Sequence, residues 1–227
     1  MIKAMPSDET RTLTESAYRL IRSDILSGSI APENRLQIAD LSQRHGTNAS
    51  AVREALSRLV SERLVTLEEQ KGFRAAPMSV REFHEITDLR VMLETEAIRR
   101  AVALGGEDWE AGIVAAYYRL GLAEKRVAKG EIEAALDWEA RNRDFHDALV
   151  QACDSQWLMR LRALLYDHST RYRSYSLSTG ALRHDSSLEH QLLHTSVLAR
   201  DADKACTLIK QHFFATFETY RSSAKNT

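Results

Sequence analysis

"GTNASAVREALSRLV", residues 46–60, joins a glycine turn to a helix whose two ends are written differently. Val52, Ala55, Leu56, Leu59 and Val60 recur at i, i+3, i+4, i+7 and i+8, one apolar stripe made for burial. The first turn, Asn48-Ala49-Ser50-Ala51, is small and polar instead. Asn48 is a good N-cap, and a slim, hydrated helix end suits insertion into a narrow space.

Working outward, the flanking elements are short. Ala17, Leu20, Ile21 and Ile25 give residues 13–27 a helical period that Gly28 stops, and Ile38, Ala39 and Leu41 mark a second short helix over 37–44. After residue 60 the period changes, and "LVTLEEQKGFRAA", residues 64–76, offers two extended runs around a charged loop ending in Lys71-Gly72. Three small helices followed by a hairpin is the layout of a winged helix-turn-helix. In that motif the second of the paired helices enters the major groove and touches base edges with its N-terminal residues. Ser50, Arg53, Ser57 and Arg58 lie off the apolar stripe, so they face outward, and the two arginines are donors for phosphate or guanine. Arg44 ends the preceding helix, and Lys71 and Arg74 sit on the wing. Residues 35–76 hold seven basic and five acidic residues, a weak patch that ordinary solvated charges would also produce.

Past Pro77 the pattern is long helices only, which makes the chain mainly α. Ser79-Val80-Arg81-Glu82 is a capping box opening a helix that Gly105-Gly106 ends. Further helices are expected at 108–129, 131–152, 155–178, 186–200 and 202–222, with one break in "STGALRHDSS", residues 178–187. The expected division is 1–77, a winged helix-turn-helix, and 78–227, an all-helical bundle, with almost no linker between them.

Composition narrows the class of function. The 227 residues carry a formal net charge of −1, so any nucleic-acid binding relies on a local patch and on doubling by a dimer. The longest apolar stretch, 111–118, is too short to span a bilayer and the N-terminus has no apolar signal core, which predicts a cytoplasmic protein. Cys153 and Cys206 lack metal-site or redox spacing and read as reduced core residues.

Six of the eight histidines fall between residues 146 and 212. Asn142 and His146 are i and i+4 on one helix face, while His190 and His212 lie on two later helices among apolar and small residues. Three imidazoles and one oxygen donor converging inside a bundle would suit a first-row divalent metal such as zinc, nickel or manganese. Each histidine, taken alone, also fits a hydrogen-bonded core position.

"GTNASAVREALSRLVSERLVTLEEQKGFRAA", residues 46–76, resembles the DNA-binding domain of the GntR family, whose usual string is G-V-S-R-T-P-V-R-E-A-L followed by an arginine-glycine wing. "DLRVMLETEAI" at 88–98 and "NRDFHDAL" at 142–149 resemble that family's FadR-like branch, which carries an FCD ligand-binding domain. Within the branch, the "QKGFR" wing and "GGEDWEA" look most like the carbon-starvation-induced, glutarate-responsive repressors. Arg53 and Gly72 match the family's positions and Asn48 stands for its serine cap, but Ala49 replaces an arginine and Ala51 a proline. The operator sequence of better-matching relatives therefore does not carry over.

The resemblance also implies a site. FCD domains commonly set Asp-x-x-x-His, a second histidine and a third about 22 residues later around a metal, which places His146, His190 and His212 as ligands with Asn142 at the aspartate's position. The amide is a poorer ligand than a carboxylate. The arginine of the R-x-x-L-E string, Arg90 here, would grip an effector's carboxylate, although pairing with Glu94 at i+4 is an equally good account of its spacing. His168, Arg171, Tyr172 and Tyr175 stand at helical spacing as further pocket candidates, and His194 shares a face with His190.

These readings converge on a dimeric transcriptional regulator, a repressor of a small-carboxylate catabolic operon, bound to a palindromic DNA operator and released by a small organic acid. Two rivals remain at this level: a helical metalloenzyme, with Asp144 or Glu189 as base, and an effector-independent dimeric DNA binder.

Overall fold

In a computed structural model, residues 8–131, 134–178 and 186–224 are described. They form α1 (Asp8–Leu26), α2 (Ile38–Arg44), α3 (Ala49–Ser61), β1 (Val65–Glu68), β2 (Gly72–Ala75), α4 (Val80–Leu104), α5 (Glu107–Ala128), α6 (Ala134–Val150), α7 (Gln156–Ser178), α8 (Ser187–Leu198) and α9 (Ala202–Ala224). The architecture is mainly α, with a small antiparallel wing after the first three helices. The break expected at 178–187 falls largely outside the described residues. No described helix is long and apolar enough to cross a membrane.

The chain divides into two compact units, one of residues up to Ser79 together with Thr170–Tyr175, the other of Val80–Ser169 and the residues from Ser176 onward. In the first unit the stripe of α3 does what its spacing demands: Val52, Ala55, Leu56 and Leu59 are fully buried against Ile21 and Ile25 of α1 and Leu41 of α2. Gly46 makes the turn between α2 and α3 at φ +59, a conformation that side chains with a Cβ rarely adopt. Asn48 caps α3 by accepting a 2.8 Å hydrogen bond from the Ala51 amide. The wing pairs Val65 with Ala75 through to Glu68 with Gly72. A backbone bridge from Arg35 to Arg74 ties the segment before α2 to the wing, an element that periodicity does not reveal.

In the second unit α4 packs along α9, α5 along α6, and α8 against both α5 and α9. Ile98, Ile113, Leu120, Phe145, Leu149, Leu193 and Ile209 fill the core between them. Gly105 is required where it stands: a Cβ there would lie 2.0 Å from the Trp109 ring, whose indole nitrogen donates to the Ala148 carbonyl at 2.9 Å. Cys206 is buried, Cys153 is partly so, and both are free thiols.

Candidate functional site

Two groups of polar residues stand out, one in each unit. In the first unit, a cleft of about 460 Å³ runs between the start of α2, the outer face of α3 and the wing. Arg35, Arg53 and Lys71 line it with Gln37, Ser57 and Gly72, and no acidic residue contributes to its wall. One turn before Arg53, the α3 N-terminus presents the helix's partial positive charge, with Ser50 exposed. Such a surface attracts a phosphodiester backbone, and the small residues of the first α3 turn leave room for base edges.

The cations proposed from sequence do not stand alike. Arg53 is exposed on the cleft. The guanidinium of Arg58 is held by Glu15 at 2.9 Å and lies over the Tyr18 ring, 3.8 Å from its centroid. Arg44 faces Asp24 at 3.4 Å, and Glu68 within the wing pairs with Lys71 at 3.6 Å and with Arg74 at 3.4 Å. Arg35 escaped the sequence reading because it belongs to no periodic element; the backbone bridge to the wing is what brings it to the cleft.

In the second unit His146 of α6, His190 of α8 and His212 of α9 converge, each offering a ligand nitrogen within 4.8 Å of the others, and all three are buried. The imidazoles of His146 and His212 stack with centroids 5.2 Å apart, and His190 lies 4.9 Å from His212. Carboxylates fix two of the rings: His190 Nδ1 donates to Glu124 at 2.7 Å, and His212 Nδ1 donates to Glu189 at 2.6 Å. An ionised carboxylate only accepts, so these bonds put the proton on Nδ1 and leave the Nε2 lone pair of each ring for a ligand. His190 Nε2 is buried without a hydrogen-bond partner, as are His146 Nδ1 and Asn142 Oδ1. Buried polar atoms normally find partners, so this set of orphans around a histidine cluster is itself a mark of a binding site.

The electrostatics agree. Burial pushes His212 down to about 4 despite its bond to Glu189, and burial together with the neighbouring His212 and His190 holds His146 well below the usual imidazole range. Neutral imidazoles are the form that ligates metal. The ring nitrogens of the three histidines and an amide oxygen fit a zinc, nickel or manganese ion, which would lend the site a positive charge for an anionic ligand.

Arg90 is buried beside this cluster. Its Nη1 donates to Ser169 Oγ at 2.6 Å, and its guanidinium lies 3.8 Å from the Phe213 ring centroid and 5.1 Å from that of Tyr166. The i, i+4 partner suggested by spacing is engaged elsewhere: both oxygens of Glu94 accept from Arg162, at 2.6 and 3.1 Å. His194 stacks on Tyr117 at 4.3 Å. Arg171 and Tyr172 belong to the first compact unit, where Arg171 donates to the Ala76 carbonyl and the Tyr172 hydroxyl accepts from the Ser79 amide at 3.5 Å. His168 is buried on the same helix. Glu189, considered as a base, orients His212 instead, and Asp144 pairs with Arg141 at 3.3 Å on the surface.

Glu124, Glu139, Tyr166 and Arg162 were missed from sequence. Each sits among other charges or aromatics at ordinary helical spacing, and only the packing shows which of them turn inward.

Comparison with known proteins follows the same division. Residues 13–74 match the bacterial regulatory proteins of the gntR family, and residues 85–215 match the FCD domain. The chain is 36% identical over 217 residues to the HTH-type transcriptional regulator BphR of Paraburkholderia xenovorans LB400, covering 96% of this chain and 89% of the relative. It is 38% identical over 203 residues to the HTH-type transcriptional repressor GlaR of Escherichia coli K12, covering 86% and 90%. Among solved structures, E. coli McbR/YncC shares the fold with a TM-score of 0.78 at 20% identity, over 97% of this chain and 100% of that one.

Proposed function

Because the chain belongs to the GntR family of bacterial regulatory proteins and carries an FCD domain, we propose that this transcriptional regulator is a repressor of a small-carboxylate catabolic operon, released from DNA by a small organic acid. The observation that carries the proposal is the juxtaposition of Arg90 with the buried cluster of His146, His190, His212 and Asn142. A guanidinium grips one carboxylate bidentately, and a metal held by uncharged donors takes another. Two anion receptors in one helical unit favour a dicarboxylate, glutarate among them, over a monocarboxylate. His194 stands beside His190 on α8 and completes the candidate lining.

On the DNA side, Arg53 and Ser50 of α3 read the major groove, while Arg35, Lys71 and Gly72 seat the backbone. The chain acts as a homodimer on a palindromic operator, since two-fold symmetry of the protein calls for two-fold half-sites. The last wing strand ends at Ala75 and α4 starts at Val80, so the two units are joined without a long tether. A coupling of about 1 to 3 kcal/mol between effector and DNA would lower operator affinity roughly 5- to 150-fold.

The test is operator binding, with the DNA upstream of the protein's own coding sequence, in the presence and absence of C4 to C6 dicarboxylates and hydroxy acids. Arg53→Ala should abolish retardation; Arg90→Ala should preserve it and erase the ligand response. Retardation that ignores every small acid would favour the effector-independent DNA binder.

A further inference from the structure

Asn142 is only 3% exposed, and its amide has two different neighbourhoods. On one side Nδ2 donates to the Tyr166 hydroxyl oxygen at 3.0 Å. That hydroxyl in turn donates its proton to Glu139 Oε1 at 3.3 Å. On the other side Oδ1 is buried without a hydrogen-bond partner, on the helix face that also carries His146 one turn later.

The polarity of this chain is dictated by its far end. A carboxylate has only acceptors, so the phenolic proton goes to Glu139 and the phenolic oxygen is left to accept. An amide NH2 satisfies that oxygen, which forces the amide oxygen to the opposite side. A carboxylate at position 142 would present an acceptor to an acceptor, with two carboxylates competing for one phenolic proton.

We propose that Glu139 and Tyr166 form a positioning relay that fixes Asn142 with Oδ1 as a neutral oxygen ligand beside the three histidines, and that this relay is why asparagine occupies position 142. The inference rests on the reading of the histidine cluster as a metal site. It changes what Asn142 means: the amide is the residue that this hydrogen-bond chain selects, rather than a weakened aspartate. A divalent ion held by three imidazoles and an amide also keeps its whole formal charge, and so draws the carboxylate of an effector more strongly than a carboxylate-ligated ion would.

The experiment measures zinc affinity of the full chain, stripped with a chelator and titrated against a chromophoric competitor. Tyr166→Phe should weaken zinc binding about 10- to 100-fold, the usual cost of removing an outer-sphere partner. Asn142→Asp should weaken zinc binding despite the added charge, whereas Asn142→Asp combined with Glu139→Gln should recover it, because the phenolic proton is then free for Asp. Thermal unfolding of each metal-free variant reports that it folds, and the Asn142→Asp and Glu139→Gln pair decides the matter even if Tyr166→Phe does not. Asn142→Asp binding zinc more tightly with Glu139 intact would overturn the relay while leaving the metal site standing. Zinc binding that is absent, or indifferent to His146→Ala, would overturn the metal reading and the relay with it.

Discussion

Glu94 and Arg162 face each other as a buried fork, Arg162 Nε and Nη2 donating to the two carboxylate oxygens at 2.6 and 3.1 Å, with both side chains nearly inaccessible to solvent. Asp147 reaches the remaining side of the same guanidinium. These carboxylates hold the Arg162 proton against the pull of desolvation, and its acidity stays beyond reach of ordinary pH. The fork also explains the partnership of Arg90: with Glu94 occupied by Arg162, Arg90 turns to Ser169.

Removing Glu94 leaves the buried Arg162 with Asp147 alone, a carboxylate that is itself half exposed. Glu94→Ala should therefore cost about 3 to 5 kcal/mol, more than the pair's own net contribution. The check is urea unfolding of Glu94→Ala against the double substitution Glu94→Leu with Arg162→Met, which should be less damaging. A single substitution that proves as mild as a surface change would mean that Asp147 and water together replace what Glu94 supplies to Arg162.

The cap at Asn48 is a smaller and more local matter. Asn48→Ala removes the only side-chain oxygen on the Ala51 amide at the head of α3 and should destabilise by about 1 kcal/mol, whereas Asn48→Ser should be close to neutral. Equilibrium unfolding monitored by circular dichroism reads the difference. Equal losses from alanine and serine would assign the effect to something other than capping.

The parts of the fold that follow from local periodicity were legible in the sequence. The α3 stripe, the Asn48 cap, the hairpin and the long helices each depend on residues a few positions apart, and a 3.6- or 2-residue period records that directly. The boundary of α1 was less legible: it begins at Asp8, before the first apolar residue that marks the period. At the site, the clustered histidines stood out because imidazoles among apolar neighbours are unusual. Glu124 is different, lying in "AEKRV" as one charge among three, and its bond to His190 exists only because α5 and α8 pack together. Pairings such as Glu139 with Tyr166, or Arg35 with the wing, are set by tertiary contact, which no local pattern encodes.

The cations of the reading head should separate by salt dependence. A lysine or arginine that neutralises a phosphate contributes about one unit to the slope of log K against log salt. Arg35→Ala should thus weaken binding to specific and nonspecific duplex alike and reduce the slope by about one, while Arg53→Ala should also abolish discrimination between them. Arg58 must exchange Glu15 and the Tyr18 ring before it can serve a phosphate, so Arg58→Ala should have the smallest effect of the three. Fluorescence anisotropy over a range of salt concentrations tests the order, and a slope unaltered by Arg35→Ala would remove that residue from the interface.

The histidine cluster makes the metal-free protein sensitive to acid, and the sign follows from burial. His212 is lowered to about 4 in the folded chain, chiefly because its buried imidazole resists charging, while an unfolded chain titrates near its ordinary value of about 6.5. Between those values the unfolded state takes up a proton that the folded state refuses, so stability falls as pH falls through this window and is insensitive to this group above it. His146 is displaced in the same direction by burial and by His212 and His190, and adds to the loss. The unfolding midpoint of chelator-treated protein should accordingly drop between pH 7 and pH 5, and His212→Gln should flatten part of that slope. A metal held by these imidazoles would need them neutral, so its stabilisation should be largest near neutral pH and fade in acid. A midpoint that rises on acidification, or a slope that His212→Gln leaves intact, would show that these imidazoles are already charged or solvated in the folded protein.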